Sequence, residues 1–178
     1  MKTIALIATA CAVLTLAAAA GAGEHPAQTA HPTKTASGWF DLENCQFCKN
    51  LLKDPELLPH MTWESHNIEG GMIQIATVDP AHAASYAKCN QAMEKLGSSM
   101  MDGTVNPMTV KMCGSCTEFG QLMMAGVKME KVDGDAADVT VITSADPALV
   151  TRIHQYCDRN NKEMALMMGA GHSEHPAH

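Results

Sequence analysis

The chain has 178 residues, of which 46% are hydrophobic, and its 12 basic and 19 acidic residues give a formal net charge of −7. This acidic balance argues against nucleic acid and anionic membrane surfaces as partners, because both are negatively charged themselves. Aromatic residues make up only 4% of the chain while methionines number 14, so we expect a core of Leu, Ile, Val and Met side chains.

The N-terminal residues 1–22 have the pattern of a signal peptide. Lys2 supplies a positive charge, an uncharged apolar run extends from Ile4 to Ala20, and small residues follow it. The apolar run is short for a bilayer span. We therefore expect a protein that is exported to the periplasm or secreted, with no membrane span after signal cleavage.

Two polar segments, residues 23–37 and 169–178, flank the part of the chain that is able to fold. Both contain His and Pro and hold few apolar side chains, so we expect both to be disordered. Histidines in such tails can bind metal ions weakly, and a tail that is merely soluble is an equally good interpretation. The remaining residues, 38–168, suffice for one compact domain or two small ones.

Six cysteines follow the predicted signal peptide, and they form two equivalent sets. Each set is a CxxC motif followed by a third cysteine, and the second set repeats the first at a constant offset of 68 residues. The sets are Cys45, Cys48 and Cys89, and Cys113, Cys116 and Cys157. A constant offset predicts an internal duplication, with one unit at 38–96, a linker at 97–106 and a second unit at 107–168.

Each unit is predicted to contain the same elements in the same order. A short alternating strand (Trp39 to Leu42, or Met108 to Met112) precedes a helix that begins at the CxxC motif. A β-hairpin follows, with strands predicted at Met61 to Ile68 and Met72 to Val78 in the first unit and at Val127 to Val132 and Val139 to Thr143 in the second. A second helix, opened by an Asp-Pro pair, completes the unit. This β-α-β-β-α order is most of the ferredoxin-like pattern. The sequence therefore predicts an α+β protein made of two tandem ferredoxin-like units, which could pack sheet against sheet or share one continuous sheet.

Both CxxC motifs lie where a predicted helix begins. The i, i+3 spacing places the two thiols on one side of the helix, and the helix dipole favours their thiolate form. Cys89 and Cys157 lie on the apolar stripe of the last helix of each unit, so we expect them to face the core and to approach the CxxC motif. Thiolates are good ligands for Cu(I) and Zn(II). Methionines near the second motif would favour copper.

The residues around the motifs resemble those of heavy-metal-associated domains of the copper-chaperone type. The resembling segments are Glu43-Asn44-Cys45-Gln46-Phe47-Cys48 and Lys111-Met112-Cys113-Gly114-Ser115-Cys116. Such domains are ferredoxin-like and bind Cu(I) or another soft cation at a CxxC between the first strand and helix. The resemblance implies a carrier, buffer or sensor of copper or zinc, with a metal-delivery or redox protein as its partner. The predicted metal ligands are Cys45, Cys48, Cys89, Cys113, Cys116 and Cys157.

Disulfide bonds are an alternative role for the same cysteines. Exported proteins commonly contain oxidised cysteine pairs, and six cysteines can form three bonds. The repeat suggests the pairs Cys45–Cys48, Cys113–Cys116 and Cys89–Cys157. In that case the protein would be a stapled structural or binding protein.

A thiol–disulfide oxidoreductase is the third interpretation. The Cys113-Gly-Ser-Cys116 motif is similar to a thioredoxin-type active site and lies between a predicted strand and helix. Covalent haem attachment is disfavoured, because Lys49 and Thr117 follow the motifs where a His is required. The sequence has no motif of a hydrolase or of a nucleotide-dependent enzyme, so a binding protein is favoured over an enzyme.

Overall fold

The computed structural model describes residues 33–134 and 137–168, and within these ranges all four strands belong to the two predicted hairpins. In chain order the elements are β1 (Met61–Ile68), β2 (Gly71–Val78), α1 (Ala83–Met101), α2 (Gly114–Met124), β3 (Lys128–Asp133), β4 (Ala137–Thr143) and α3 (Pro147–Met168). Short 3-10 helices lie at Cys48–Lys53, Leu58–His60, Pro80–His82 and Pro107–Thr109.

The four strands form one antiparallel sheet in the order β1-β2-β4-β3. The two hairpins meet along β2 and β4, where Ile75 lies opposite Val139. Gly71 begins β2 at a very close approach to β4, because a Cβ atom there would collide with the carbonyl oxygen of Ile142. Each half of the chain thus contributes one hairpin to a single shared sheet.

Local signals act at three of the predicted helix ends, whereas the helix predicted at the first CxxC motif is only the 3-10 helix Cys48–Lys53. The Asp79 carboxylate accepts a hydrogen bond from the backbone N–H of Ala81 (3.0 Å), and the Asp146 carboxylate accepts one from Ala148 (2.9 Å). These bonds satisfy donors that a helix start leaves without an intrahelical partner. Helix α2 is followed by Gly126 in a left-handed conformation with φ +92°, which a glycine adopts at little cost.

Helices α1 and α3 both cover the same face of the sheet. Asn67 on β1 donates to Asp158 of α3, and Asn90 of α1 donates to Asp138 on β4, each over 2.9 Å. Alternate residues of a strand point to opposite faces, and the strand register places Asn67 and Asp138 on one face, which we call the helix face. The buried side chains of the sheet all lie on the helix face: Met61, Ser65, Met72, Ala76 and Ile142.

The core has two clusters, and each draws on both halves of the chain: Met167 joins the first cluster and Met72 joins the second. One contains Leu42 and Cys89, the other contains Ile153 and Cys157, and Tyr156 packs against both. The two third cysteines therefore face the core, as their positions on the apolar helix stripes predict. Burial of these apolar side chains is the main term that stabilises the fold.

The strand that the sequence predicts before each CxxC motif is absent. Residues 39–42 form only an isolated bridge between Asp41 and Lys34. Met108 lies in a 3-10 helix and is 91% exposed, not packed in a core. The α+β class is confirmed, whereas the two tandem ferredoxin-like units are not, since neither half has its first strand. Of the two predicted arrangements, the hairpins adopt the shared sheet.

The backbone before the first CxxC motif is instead bonded to the start of α2. The carbonyl oxygen of Gly38 accepts from the N–H of Gly114 (3.1 Å), and that of Trp39 accepts from Ser115 (2.9 Å). Helix starts leave such N–H groups free. These carbonyl groups therefore serve the helix of the other half and are not available for a sheet ladder.

Two boundaries differ from the prediction. Helix α1 continues to Met101, well into the segment 97–106 that was expected to be a linker. Thr35 is buried and its N–H donates to Phe40 O over 2.9 Å, so packed structure begins before residue 38. The predicted signal peptide, residues 23–32 and the C-terminal tail 169–178 lie outside the described residues. Among the described helices, none is both long and apolar enough to cross a membrane.

Candidate metal centre

The two CxxC motifs converge on one point. The Sγ atoms of Cys45, Cys48, Cys113 and Cys116 all lie within 4.8 Å of one another. Sulfurs from different halves of the chain come close: Cys48 lies 3.4 Å from Cys116 and 3.8 Å from Cys113, and Cys45 lies 3.6 Å from Cys116. The motifs therefore form one shared site and not two separate ones.

These sulfur–sulfur distances fit a tetrahedral thiolate site. Metal–sulfur bonds of about 2.3 Å in tetrahedral geometry separate any two sulfurs by about 3.8 Å. A disulfide would require about 2.05 Å, and all six described cysteines are free thiols. The disulfide pairs that the repeat suggests are therefore not formed among them. Four thiolates from two CxxC motifs are a donor set that suits Zn(II), and sulfur also accepts Cu(I).

Backbone hydrogen bonds between the halves hold the motifs in register. The N–H of Gln46 donates to Lys111 O over 2.8 Å, and the N–H of Gly114 donates to Gly38 O over 3.1 Å. Gln46 and Gly114 are equivalent residues, each being the first spacer of its CxxC motif. Each motif is thus capped by a carbonyl group from the other half of the chain.

Gly114 also allows the indole of Trp39 to pack against the second motif. A Cβ atom on Gly114 would lie 2.9 Å from Cε3 and 3.1 Å from Cα of Trp39. Real Cβ atoms do not tolerate such distances, so one of the two segments would have to move. The first spacer residue of the second motif therefore has to lack a side chain for this packing.

A buried polar network connects the second motif to α3 and to Trp39. Asn160 Oδ1 accepts from Trp39 Nε1 (2.7 Å) and from Ser115 Oγ (3.0 Å), and Ser115 Oγ lies 3.2 Å from the Tyr156 hydroxyl. Sequence reasoning missed all four residues. The one available signal is the position of Asn160, three residues after Cys157 on the inner side of a helix, where a polar side chain needs a partner.

The four cysteines differ in their exposure. Cys45 and Cys113, the first residues of the two motifs, are 1% and 4% exposed, whereas Cys48 and Cys116 are half-buried. The second cysteine of each motif is therefore less buried than the first.

Hydrogen bonds within the cluster separate the pKa values of the thiols. The bond from Cys116 lowers the pKa of Cys113 to about 7. Bonds from Cys113, then Cys116 and Cys48, lower the pKa of Cys45. The pKa values of Cys48 and Cys116 are raised, first by their bonds to Cys113, because these two thiols hold the shared protons. The buried pair is thus predisposed to be thiolate, and a metal ion would displace the remaining two protons.

The third cysteines do not join this cluster. Cys89 is 3% exposed in one core cluster, and burial raises its pKa to about 11. Cys157 is 1% exposed in the other cluster, and burial raises its pKa as well. Neither sulfur belongs to the four-sulfur group. The structure therefore brings four of the six predicted ligands together, and the inner faces of α1 and α3 direct Cys89 and Cys157 into apolar packing instead.

The chain matches no protein-family model, no curated protein and no solved structure. The resemblance to heavy-metal-associated domains therefore stays a prediction.

Proposed function

We propose that this protein binds a single soft metal ion through Cys45, Cys48, Cys113 and Cys116, with Zn(II) as the best fit and Cu(I) as the alternative. The observation that carries the proposal is the convergence of four free thiols from two motifs within 4.8 Å. Thiolates this close repel each other in the absence of a cation. A bound metal ion removes the repulsion between the thiolates that the backbone bonds hold together.

The proposed role is that of a carrier or buffer and not of a catalyst. Four protein ligands saturate a tetrahedral ion and leave no open position for water or substrate. Cys48 and Cys116 are less buried than Cys45 and Cys113, so these two ligands are the ones that we expect to exchange. A thiolate of a partner protein, or a small chelator, can replace these two ligands in sequence, which is the chemistry of metal transfer. A sensor would use the same site.

Export is part of the proposal and is supported by the pattern of residues 1–22 alone. An exported metal carrier has to keep its thiols reduced by ligation, because the compartments outside the cytosol favour disulfides. Fractionation of cells that produce the full chain, with detection of the processed protein in the periplasm or medium, tests this part separately.

Thiol–disulfide exchange is the second candidate function. It is favoured by the pKa of about 7 of Cys113 and by the 3.4 Å between the sulfurs of Cys48 and Cys116. However, Cys113 is 4% exposed, so the thiol with the lowered pKa has little access to a protein disulfide. The geometry therefore favours metal binding.

Metal analysis of purified protein tests the primary proposal. We expect one Zn(II) or Cu(I) per chain, and we expect Co(II) to give the intense sulfur-to-metal absorption of a tetrahedral thiolate site. Cys45→Ser should abolish both signals, while the matched control Cys89→Ala should keep them. A wild-type protein that takes up no metal under reducing conditions, yet reduces insulin disulfides, would establish the second function instead.

A further inference from the structure

The face of the sheet opposite the helix face carries none of the described helices, and we call it the open face. Its members follow from strand alternation and register. No side chain on it is buried. The open face consists of Thr62, Glu64, His66 and Ile68 on β1, Ile73, Ile75 and Thr77 on β2, Ala137, Val139, Val141 and Thr143 on β4, and Lys128, Glu130 and Val132 on β3.

The centre of the open face is apolar. Ile75 pairs with Val139, and Ile73 pairs with Val141, so four β-branched side chains form a block on the two central strands. All four are half-buried, and Val132 beside them is 61% exposed. An antiparallel sheet that faces water usually alternates to polar residues on that side. A contiguous apolar block of this kind marks an interaction surface.

We infer that the open face is an interface between two copies of this chain, packed sheet against sheet. A twofold interface requires a surface that is complementary to itself. The apolar block satisfies this requirement. A twofold axis that lies in the plane between two sheets places the block of one copy against the same block of the other copy. Sheets that pack in this way place their inner side chains in a layer about 10 Å thick.

The charged rim supports a second copy as the occupant. If the twofold axis runs parallel to the strands, β1 lies over β3 of the second copy. His66 then lies opposite Glu130 of that copy, because the strand register aligns these two residues across the sheet. An axis across the strands places β1 over β1, and His66 then lies opposite Glu64 of the second copy. Either arrangement pairs the imidazole with a carboxylate at both ends of the interface.

The size of the open face predicts a weak dimer. Four strands spaced about 4.8 Å apart, with about seven residues each at 3.3 Å per residue, cover roughly 440 Å². Two copies would bury roughly 900 Å², which is slightly below the range of stable specific interfaces. We therefore expect a monomer–dimer equilibrium that depends on protein concentration.

Sedimentation equilibrium of the wild-type protein tests this interface. We expect dimers at about 100 µM that dissociate on dilution. Ile75→Glu should weaken association at least about tenfold, because it buries an unpaired charge in the apolar block. Met108→Glu places the same charge on an apolar residue that is 91% exposed and outside the sheet, and it should leave association unchanged.

The His66→Glu variant provides a second test of the interface in case the Ile75→Glu variant does not fold. The His66 side chain is 61% exposed, so the substitution should not affect folding, and in either arrangement it sets a carboxylate opposite a carboxylate. We expect several-fold weaker association, which added salt should partly restore. A wild-type protein that stays monomeric at this concentration overturns the proposal, whether the open face is then free or covered by residues 1–32. Dimers that neither open-face substitution weakens overturn it equally.

Discussion

The backbone N–H of Gln46 donates to the carbonyl oxygen of Lys111 over 2.8 Å, and so joins the first CxxC motif to the chain that leads into the second. Gly114 and Gly38 form the corresponding bond in the other direction. Because these bonds involve only backbone groups, they position the four sulfurs independently of the metal ion. A preformed site loses little conformational entropy when it binds, which favours affinity.

A single shared site predicts that metal binding requires the CxxC motifs of both halves of the chain. Cys48→Ser and Cys116→Ser should each remove nearly all bound metal, because three thiolates leave a tetrahedral ion with a ligand missing. The measurement is metal content per chain by mass spectrometry after gel filtration in a competing chelator. Two independent sites would instead leave about half of the metal in each variant, and that result would contradict the shared centre.

The packing of Trp39 on Gly114 predicts that two glycine substitutions in α2 have opposite effects on stability. Gly114→Ala should lower the free energy of unfolding by about 1–2 kcal/mol, because the clash with Trp39 exceeds the gain in helix propensity. Gly120→Ala in the same helix meets nothing within 4 Å and should raise the free energy of unfolding by up to about 1 kcal/mol. Urea denaturation measures both. Equal effects of the two substitutions would show that the Trp39 contact is unimportant.

The buried amide of Asn160 predicts that its replacement by alanine destabilises the fold considerably. Asn160→Ala should destabilise the protein by about 2–3 kcal/mol, because the indole N–H of Trp39 and the hydroxyl of Ser115 lose a buried acceptor. Asn67→Ala removes an exposed hydrogen bond to Asp158 and should cost at most about 0.5 kcal/mol. Thermal unfolding of both variants compares the two costs, and similar melting temperatures would contradict the proposed importance of the network.

The buried thiol of Cys89 predicts a loss of stability in alkali. Its pKa is raised from 9.0 to about 11 in the folded chain because burial disfavours the thiolate. The folded protein therefore retains this stabilisation below about pH 9 and loses it as the pH rises through about 11. The loss is at most roughly 2–3 kcal/mol in the free energy of unfolding.

Urea denaturation of wild-type protein and of Cys89→Ala over this pH range measures the contribution. Other groups that titrate in alkali are common to both proteins, so the difference between the two curves isolates Cys89. We expect the wild type to lose more stability than the variant. Parallel curves would show that the Cys89 thiol ionises as freely in the folded chain as in the unfolded one.

Local patterns predict the secondary structure well where the hydrogen-bond partners lie close together in the sequence. The hairpins follow from alternating residues and a Gly-containing turn, and strand β1 begins and ends at the predicted Met61 and Ile68. Asp79 and Asp146 cap their helices with bonds to residues two positions away. Such bonds depend on neighbours in sequence, so a sequence pattern is sufficient to predict them.

The pairing of the halves does not follow from such patterns. Assigning Cys89 to the first motif assumes that each unit folds alone. The observed pairing of β2 with β4 and the bonds from residues 38 and 39 to α2 join segments that lie far apart in the sequence. A local pattern predicts that Cys45 and Cys113 are ligands, but only these long-range contacts bring them close enough to bind the same ion.

Each half of the chain supplies two of the four sulfurs, and their linkage in one chain determines how metal affinity depends on protein concentration. A free chain with one CxxC motif supplies two thiolates, so a four-coordinate ion would require two such chains to meet. Covalent linkage of the two halves makes that encounter intramolecular, and therefore independent of protein concentration. The two motifs of one chain therefore meet at any dilution, and a protein present at nanomolar levels can still assemble the complete set of four ligands.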